Sequence, residues 1–122
     1  MNAFEPVKKI PTREYQGEGC QGWYVLDDAG HRLYDELELQ PGRPFGGDLT
    51  ANQVWEFLDG YGRVSVDERM LREMHYPGSH VDLRAGERAL VIAITAVRLR
   101  IRFSRPELPA NLQRLLPIAR ID

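Results

Sequence analysis

Cysteine is nearly absent from this 122-residue sequence. Cys20 alone cannot close an internal disulfide or assemble a thiolate zinc cluster, so a reducing compartment is the natural expectation. Lysine is almost as scarce, with Lys8 and Lys9 set against 14 arginines. Such a bias is expected where codons are GC-rich, in a high-GC bacterium or a phage or mobile element within one. It makes most cationic groups planar forks suited to carboxylates, phosphates and aromatic faces. Long apolar runs are missing too. Ala89 to Val97, with Thr95 inside it, is nine residues, whereas a membrane-spanning helix needs about 20. Met1 to Pro6 has no charged region followed by an apolar core, so a leader is not expected and the chain reads as cytoplasmic. Neither sign of charge dominates. Sixteen basic and 18 acidic residues give a net of -2, which argues against a wholly basic nucleic-acid binder and a strongly acidic DNA mimic.

The residues that are present suit a soluble domain: 43% are hydrophobic and 28% charged, close to the globular average. The length fits a single domain over 1–122, with an extended lead-in at 1–12 and a short tail at 117–122. Trp23–Leu26, the turn at Asp27–Gly30 and His31–Tyr34 read as a β-hairpin over 22–36. Asp35, Glu36 and Glu38 alternate with Leu37 and Leu39, as in a strand with a solvated acidic face. Residues 40–48, rich in Pro and Gly, read as a long surface loop.

Two helices are expected next. Thr50 and Gln53 have capping-box spacing ahead of Val54, Trp55, Phe57 and Leu58. Ser65 and Glu68 repeat that spacing ahead of Met70, Leu71 and Met74, so the pair reads as a helical hairpin. Residues 89–96 are apolar on every face and fit a strand slightly better than a helix. Val97, Leu99, Ile101 and Phe103 alternate with Arg98, Arg100 and Arg102, which specifies a half-buried strand. Ala110–Leu116 reads as a short helix, its L-x-x-L-L pattern read as core packing. The expected fold class is therefore α+β: a small, mainly antiparallel sheet, made of the N-terminal hairpin and C-terminal strands, with a helical hairpin and a short C-terminal helix.

Few motifs carry chemistry. Gly17 to Gly22 spells G-x-G-x-x-G, but a strand follows where a dinucleotide site needs a helix, so the glycines read as turn residues. Cys20, His31 and Asp35 are the one conceivable nucleophile, base and orienting acid. His75, His80 and Asp82 are the one conceivable metal set, without a second cluster to complete it. The expectation is no catalytic residue, no metal and no cofactor.

The arginine ladder is the most informative feature. Arg98, Arg100 and Arg102 project from one strand face, and Arg105 follows. Residues 98–122 hold six arginines against Glu107 and Asp122, net +4, while 1–97 hold ten basic and sixteen acidic residues, net -6. Either the arginines pair with carboxylates such as Glu36 and Glu38 on a neighbouring strand, or they form an anionic docking face. On the second reading Arg98, Arg100, Arg102, Arg105, Arg43 and Phe45 are the binding residues of a small non-enzymatic protein-binding module, an adaptor, inhibitor or antitoxin-like protein with a protein partner. The alternative is a nucleic-acid-binding accessory protein using the same face. An edge strand also allows a homodimer.

Overall fold

A computed structural model describes residues 8–104. Ten strands run through them: β1 (Lys8–Gly17), β2 (Cys20–Leu26), β3 (Arg32–Leu39), β4 (Pro44–Asp48), β5 (Asn52–Asp59), β6 (Gly62–Val66), β7 (Leu71–His75), β8 (His80–Leu83), β9 (Arg88–Ala93) and β10 (Val97–Ser104). A single 3-10 turn, Asp67–Arg69, links β6 to β7. All pairings are antiparallel. One sheet has six strands in the order β1-β2-β3-β10-β5-β8, and the other has four in the order β4-β9-β6-β7. The two sheets share one core.

That core is made by period-two alternation. The large sheet turns its bulky residues inward: Leu37 and Leu39 from β3, Trp55 and Phe57 from β5, Leu99 and Ile101 from β10. The small sheet answers with slender ones, Val64, Val66, Ala89, Val91 and Ala93. Large against small across the gap lets the two faces approach and fill the interior densely.

The α+β expectation is overturned, since the described residues contain no α-helix. Over 52–59 the stripe Val54, Trp55, Phe57, Leu58 fits both periods. The structure selects period two, with Trp55 and Phe57 buried and Val54, Glu56 and Leu58 half-buried. Central pairing to both β10 and β8 satisfies the backbone as a helix would, and Val, Trp and Phe suit a pleated surface. The second expected helix is a β6–β7 hairpin. Its supposed core residue Met70 sits at the turn with left-handed φ of 50° and is 92% exposed. The acidic residues Asp67 and Glu68 lie within one short turn, which no side chain caps.

Other readings meet the structure element by element. β2 and β3 form the hairpin read over 22–36. Of the strand read over 89–96, residues 89–93 lie in β9 and 94–96 form the bend that follows, and the arginine ladder is β10. The stretch 40–48 is not all loop, because β4 pairs with β9 along its length. Gly46 permits this: a Cβ there would lie 2.1 Å from the Ala89 carbonyl oxygen. Arg105 and the helix expected over 110–116 lie outside the described residues.

Candidate functional site

The arginine ladder occupies a central strand. β10 lies between β3 and β5, so Arg98 and Arg100 have acidic neighbours on both sides, while Arg102 stands opposite Val54. Arg98 stands opposite Glu38 and Asp59, and Arg100 opposite Glu36 and Glu56. Arg98 reaches Glu36 at 3.6 Å and Glu38 at 3.8 Å. Arg100 and Arg102 share Glu56, at 4.0 and 2.5 Å. Their guanidinium groups also lie over the Tyr34 ring, 4.4 and 5.5 Å from its centroid. Lys9 joins from the edge, 2.6 Å from Glu36 and 4.3 Å from the centre of the Trp23 ring. The outer face of the large sheet is thus a lattice of alternating sign, within which Glu36 Oε2 and Arg100 Nε make no hydrogen bond. Arg43 sits elsewhere, 2.8 Å from Glu18. Phe45 turns inward, 5.8 Å from the Tyr15 ring and 5.7 Å from Trp55.

The opposite outer face is different in kind. Ala89, Val91 and Ala93 point inward on β9, so Leu90 and Ile92 point out. Ile92 stands opposite Arg63 on β6, and Arg63 opposite Met74 on β7. One register further, the Ile94 N–H donates to the Tyr61 carbonyl at 3.0 Å, and the Tyr61 and Tyr76 rings stack at 5.5 Å. Met74, Tyr76, Ile92 and Ile94 are four of the six exposed large apolar side chains among the described residues. They share this one face. Arg63 and Arg72 are interspersed with them, and neither forms an ion pair with a described residue. The readable signal was the parity of Ile92 and Met74. It is hidden while residues 65–76 are taken as a helix.

The third feature is a buried carboxylate. Asp35 shares parity with Leu37 and Leu39, so its side chain enters the interior and is 0% exposed, not part of a solvated acidic face. Arg32 neutralises it through two N–H donors, Nε at 2.7 Å and an Nη, and the Tyr15 hydroxyl donates to the same carboxylate. Burial first, and then the Asp35 carboxylate, push the Tyr15 phenol far above its usual range. Gly22 makes this possible, since a Cβ there would come within 2.6 Å of the Tyr15 ring. The glycines of 17–22 thus serve a hairpin turn and a close ring contact.

The catalytic and metal sets considered from sequence do not assemble. Cys20 and His31 stand at opposite ends of the β2–β3 hairpin, about 20 Å of strand apart. His31 instead pairs with Asp27 at 3.1 Å. Burial pushes the Cys20 thiol up, away from the thiolate a nucleophile needs. His75 is buried and stacks on Phe57 at 5.4 Å, while His80 and Asp82 lie exposed on β8. Among the described residues no group of three or more His, Cys, Asp or Glu side chains is placed to hold a metal ion.

No family model matches the chain, and no curated protein does. Solved structures match in shape. A DUF1255 protein of unknown function from Acidithiobacillus ferrooxidans superposes with TM-score 0.65 at 10% identity, covering 80% of this chain and 91% of that one. The Drosophila melanogaster CENP-C cupin domain gives 0.66 at 12% identity, covering 85% and 83%. A predicted oxalate decarboxylase from Thermotoga maritima gives 0.62 at 15% identity, covering 81% and 95%. The fold is cupin-like. At such identities the likeness extends to architecture alone, and a fold hosts many functions. No helix among the described residues is long and apolar enough to cross a membrane.

Proposed function

We propose that this cupin-like chain is a protein-binding module that docks an acidic partner segment on the outer face of its small sheet. One observation carries the reading: Arg63 and Arg72 stand without a described ion-pair partner amid exposed Ile92, Met74, Ile94 and Tyr76. An apolar face with unmatched positive charge suits a partner that is apolar and acidic, with the charges setting register and encounter rate. The ladder arginines are less available, because any anionic partner must first displace Glu36, Glu38 and Glu56. The same competition weighs against a nucleic-acid backbone there. A second copy of the chain would bring the two positive charges into its own interface. A CENP-C structure of similar fold is bound to CAL1, so a chain of this fold can take a protein partner.

The test uses two fluorescent amphipathic peptides of ~12 residues with one apolar pattern, glutamate filling the polar positions in one and lysine in the other. The acidic peptide is expected to raise anisotropy, and Arg63→Glu with Arg72→Glu to abolish the rise. Ile92→Glu should do the same, while Arg100→Glu with Arg102→Glu retains binding. Equal binding of both peptides, or loss through the ladder variant alone, overturns the proposal. So does a concentration-dependent dimer in sedimentation that Ile92→Glu dissociates.

A further inference from the structure

His75 ends β7, beside the turn into β8. Its side chain is only 9% exposed, and its ring lies nearly parallel to that of Phe57, 15° apart. The turn assigns its proton. Ser79 has one hydroxyl proton, which is directed at the Tyr76 carbonyl, 2.8 Å away. The Ser79 oxygen then accepts twice, from the Tyr76 N–H at 3.1 Å and from His75 Nδ1 at 3.0 Å. Neutral His75 is therefore the Nδ1–H tautomer, with its lone pair on Nε2. That atom is buried and makes no hydrogen bond.

The Glu73 carboxylate stands 3.5 Å from the bare Nε2. A lone pair and a carboxylate repel unless a cation lies between them. No arginine or lysine fills that place. On β6, Glu73 stands opposite Val64 and His75 opposite Gly62. Arg63, between those two, and Arg72 on β7 belong to the other face by parity. β7 is an edge strand and the Glu73 side chain is 57% exposed, so the pair opens to solvent.

The separation suits a metal ion. Zinc holds an imidazole nitrogen at about 2.0–2.1 Å and a carboxylate oxygen at about 2.0–2.2 Å, which sets two such donors about 3.4 Å apart at the tetrahedral angle. Ser79 adds the usual companion of a ligating histidine, a hydrogen bond on the other ring nitrogen that fixes tautomer and ring orientation. The pair of His31 with Asp27 is unlike it. There Nδ1 and the carboxylate meet at 3.1 Å, and Asp27 already accepts the backbone N–H groups of Ala29 and His31.

We propose that His75 Nε2 and the Glu73 carboxylate bind a divalent cation of the zinc class at the β7 edge, with water in its remaining positions. Two protein donors are fewer than a closed structural zinc site uses, so the affinity is modest. Neither donor belongs to the outer face of the small sheet, so this proposal and the docking proposal stand or fall separately.

Zinc chloride is titrated into ¹⁵N-labelled protein at about pH 7.5, well above the usual histidine range, and the ring nitrogens of the three histidines are followed. Before zinc, His75 should show the Nδ1–H tautomer. Zinc should shift its Nε2 saturably below ~1 mM, with Nδ1–H retained and His31 and His80 still. Magnesium, which favours oxygen donors, should leave His75 unchanged. Ser79→Ala should weaken zinc about tenfold or more. Glu73→Gln, at an exposed position that leaves the core intact, removes a donor and should weaken it at least as much. An Nε2–H or doubly protonated ring before zinc overturns the proposal. So does an equal response of His31 or His80, an equal effect of magnesium, or zinc binding that Glu73→Gln leaves unchanged.

Discussion

Replacing Arg32 by alanine removes the cation that neutralises a fully buried carboxylate. Asp35 is 0% exposed, whereas the Arg32 side chain is 41% exposed. Breaking a buried ion pair costs about 3–5 kcal/mol, because the remaining charge is left uncompensated. The two partners therefore differ. Arg32→Ala strands Asp35 in the interior with only the Tyr15 hydroxyl, and the full ~3–5 kcal/mol is expected. Asp35→Ala strands a guanidinium that still reaches water, so its cost falls to about 2–3 kcal/mol, in the range of an unmet hydrogen bond to a charged group. The double variant removes both charges together, and its cost should fall short of the sum by about 1–3 kcal/mol. Urea unfolding of the four proteins closes the cycle, with equal m-values as the check that all share one denatured state. If Arg32→Ala proves milder than Asp35→Ala, or the coupling is below ~0.5 kcal/mol, the buried pair does not organise this end of the sandwich.

Three further outcomes are expected. Gly60→Ala should cost more than Gly30→Ala: both have left-handed φ, but a Cβ at Gly60 falls 1.9 Å from the Ala96 carbonyl oxygen and one at Gly30 meets nothing. About 1 kcal/mol is expected at Gly30 and at least ~2 kcal/mol at Gly60, and equal melting temperatures would contradict the turn geometry. Arg69 holds the Glu87 carboxyl below its ordinary value of 4.5. A lowered folded pKa gives stability that is complete above pH 4.5 and is lost as pH falls through the folded value. The advantage of the wild type over Glu87→Gln should thus be flat down to about pH 5 and shrink below it, and an advantage still undiminished at about pH 3 refutes the pair. Finally, the burial that raises the Cys20 thiol should make its alkylation by iodoacetamide at neutral pH slower than that of a free thiol peptide. Faster alkylation would reopen a nucleophilic role.

How much of this was legible varies with how many neighbours a residue needs to declare itself. The alternation of Val97, Leu99, Ile101 and Phe103 with the three arginines names a strand unaided, because period two has no helical counterpart there. The hairpin of β2 and β3 likewise follows from local turn residues. Val54, Trp55, Phe57 and Leu58 satisfy both periods, so only the partners on β10 and β8 separate them. The Ser65–Glu68 spacing imitates a capping box, yet Ser65 lies in β6 and no side chain caps the three-residue turn that follows. With two helices expected, Ile92, Met74 and Tyr76 do not fall on one surface, and the apolar face of the small sheet is hidden.

The sequence by itself determined the charge segregation and the strand that carries the ladder. These are properties of composition and of near neighbours along the chain. Tertiary structure alone decided that Arg98, Arg100 and Arg102 meet Glu36, Glu38 and Glu56, and that Asp35 goes inward to Arg32 and Tyr15. It also placed the unmatched Arg63 and Arg72 on the apolar face of the other sheet. The physical reason is that a sheet joins residues from distant parts of the chain. Whether a charge is paired, and whether an apolar side chain is covered, depends on strand order and register, which local spacing does not encode.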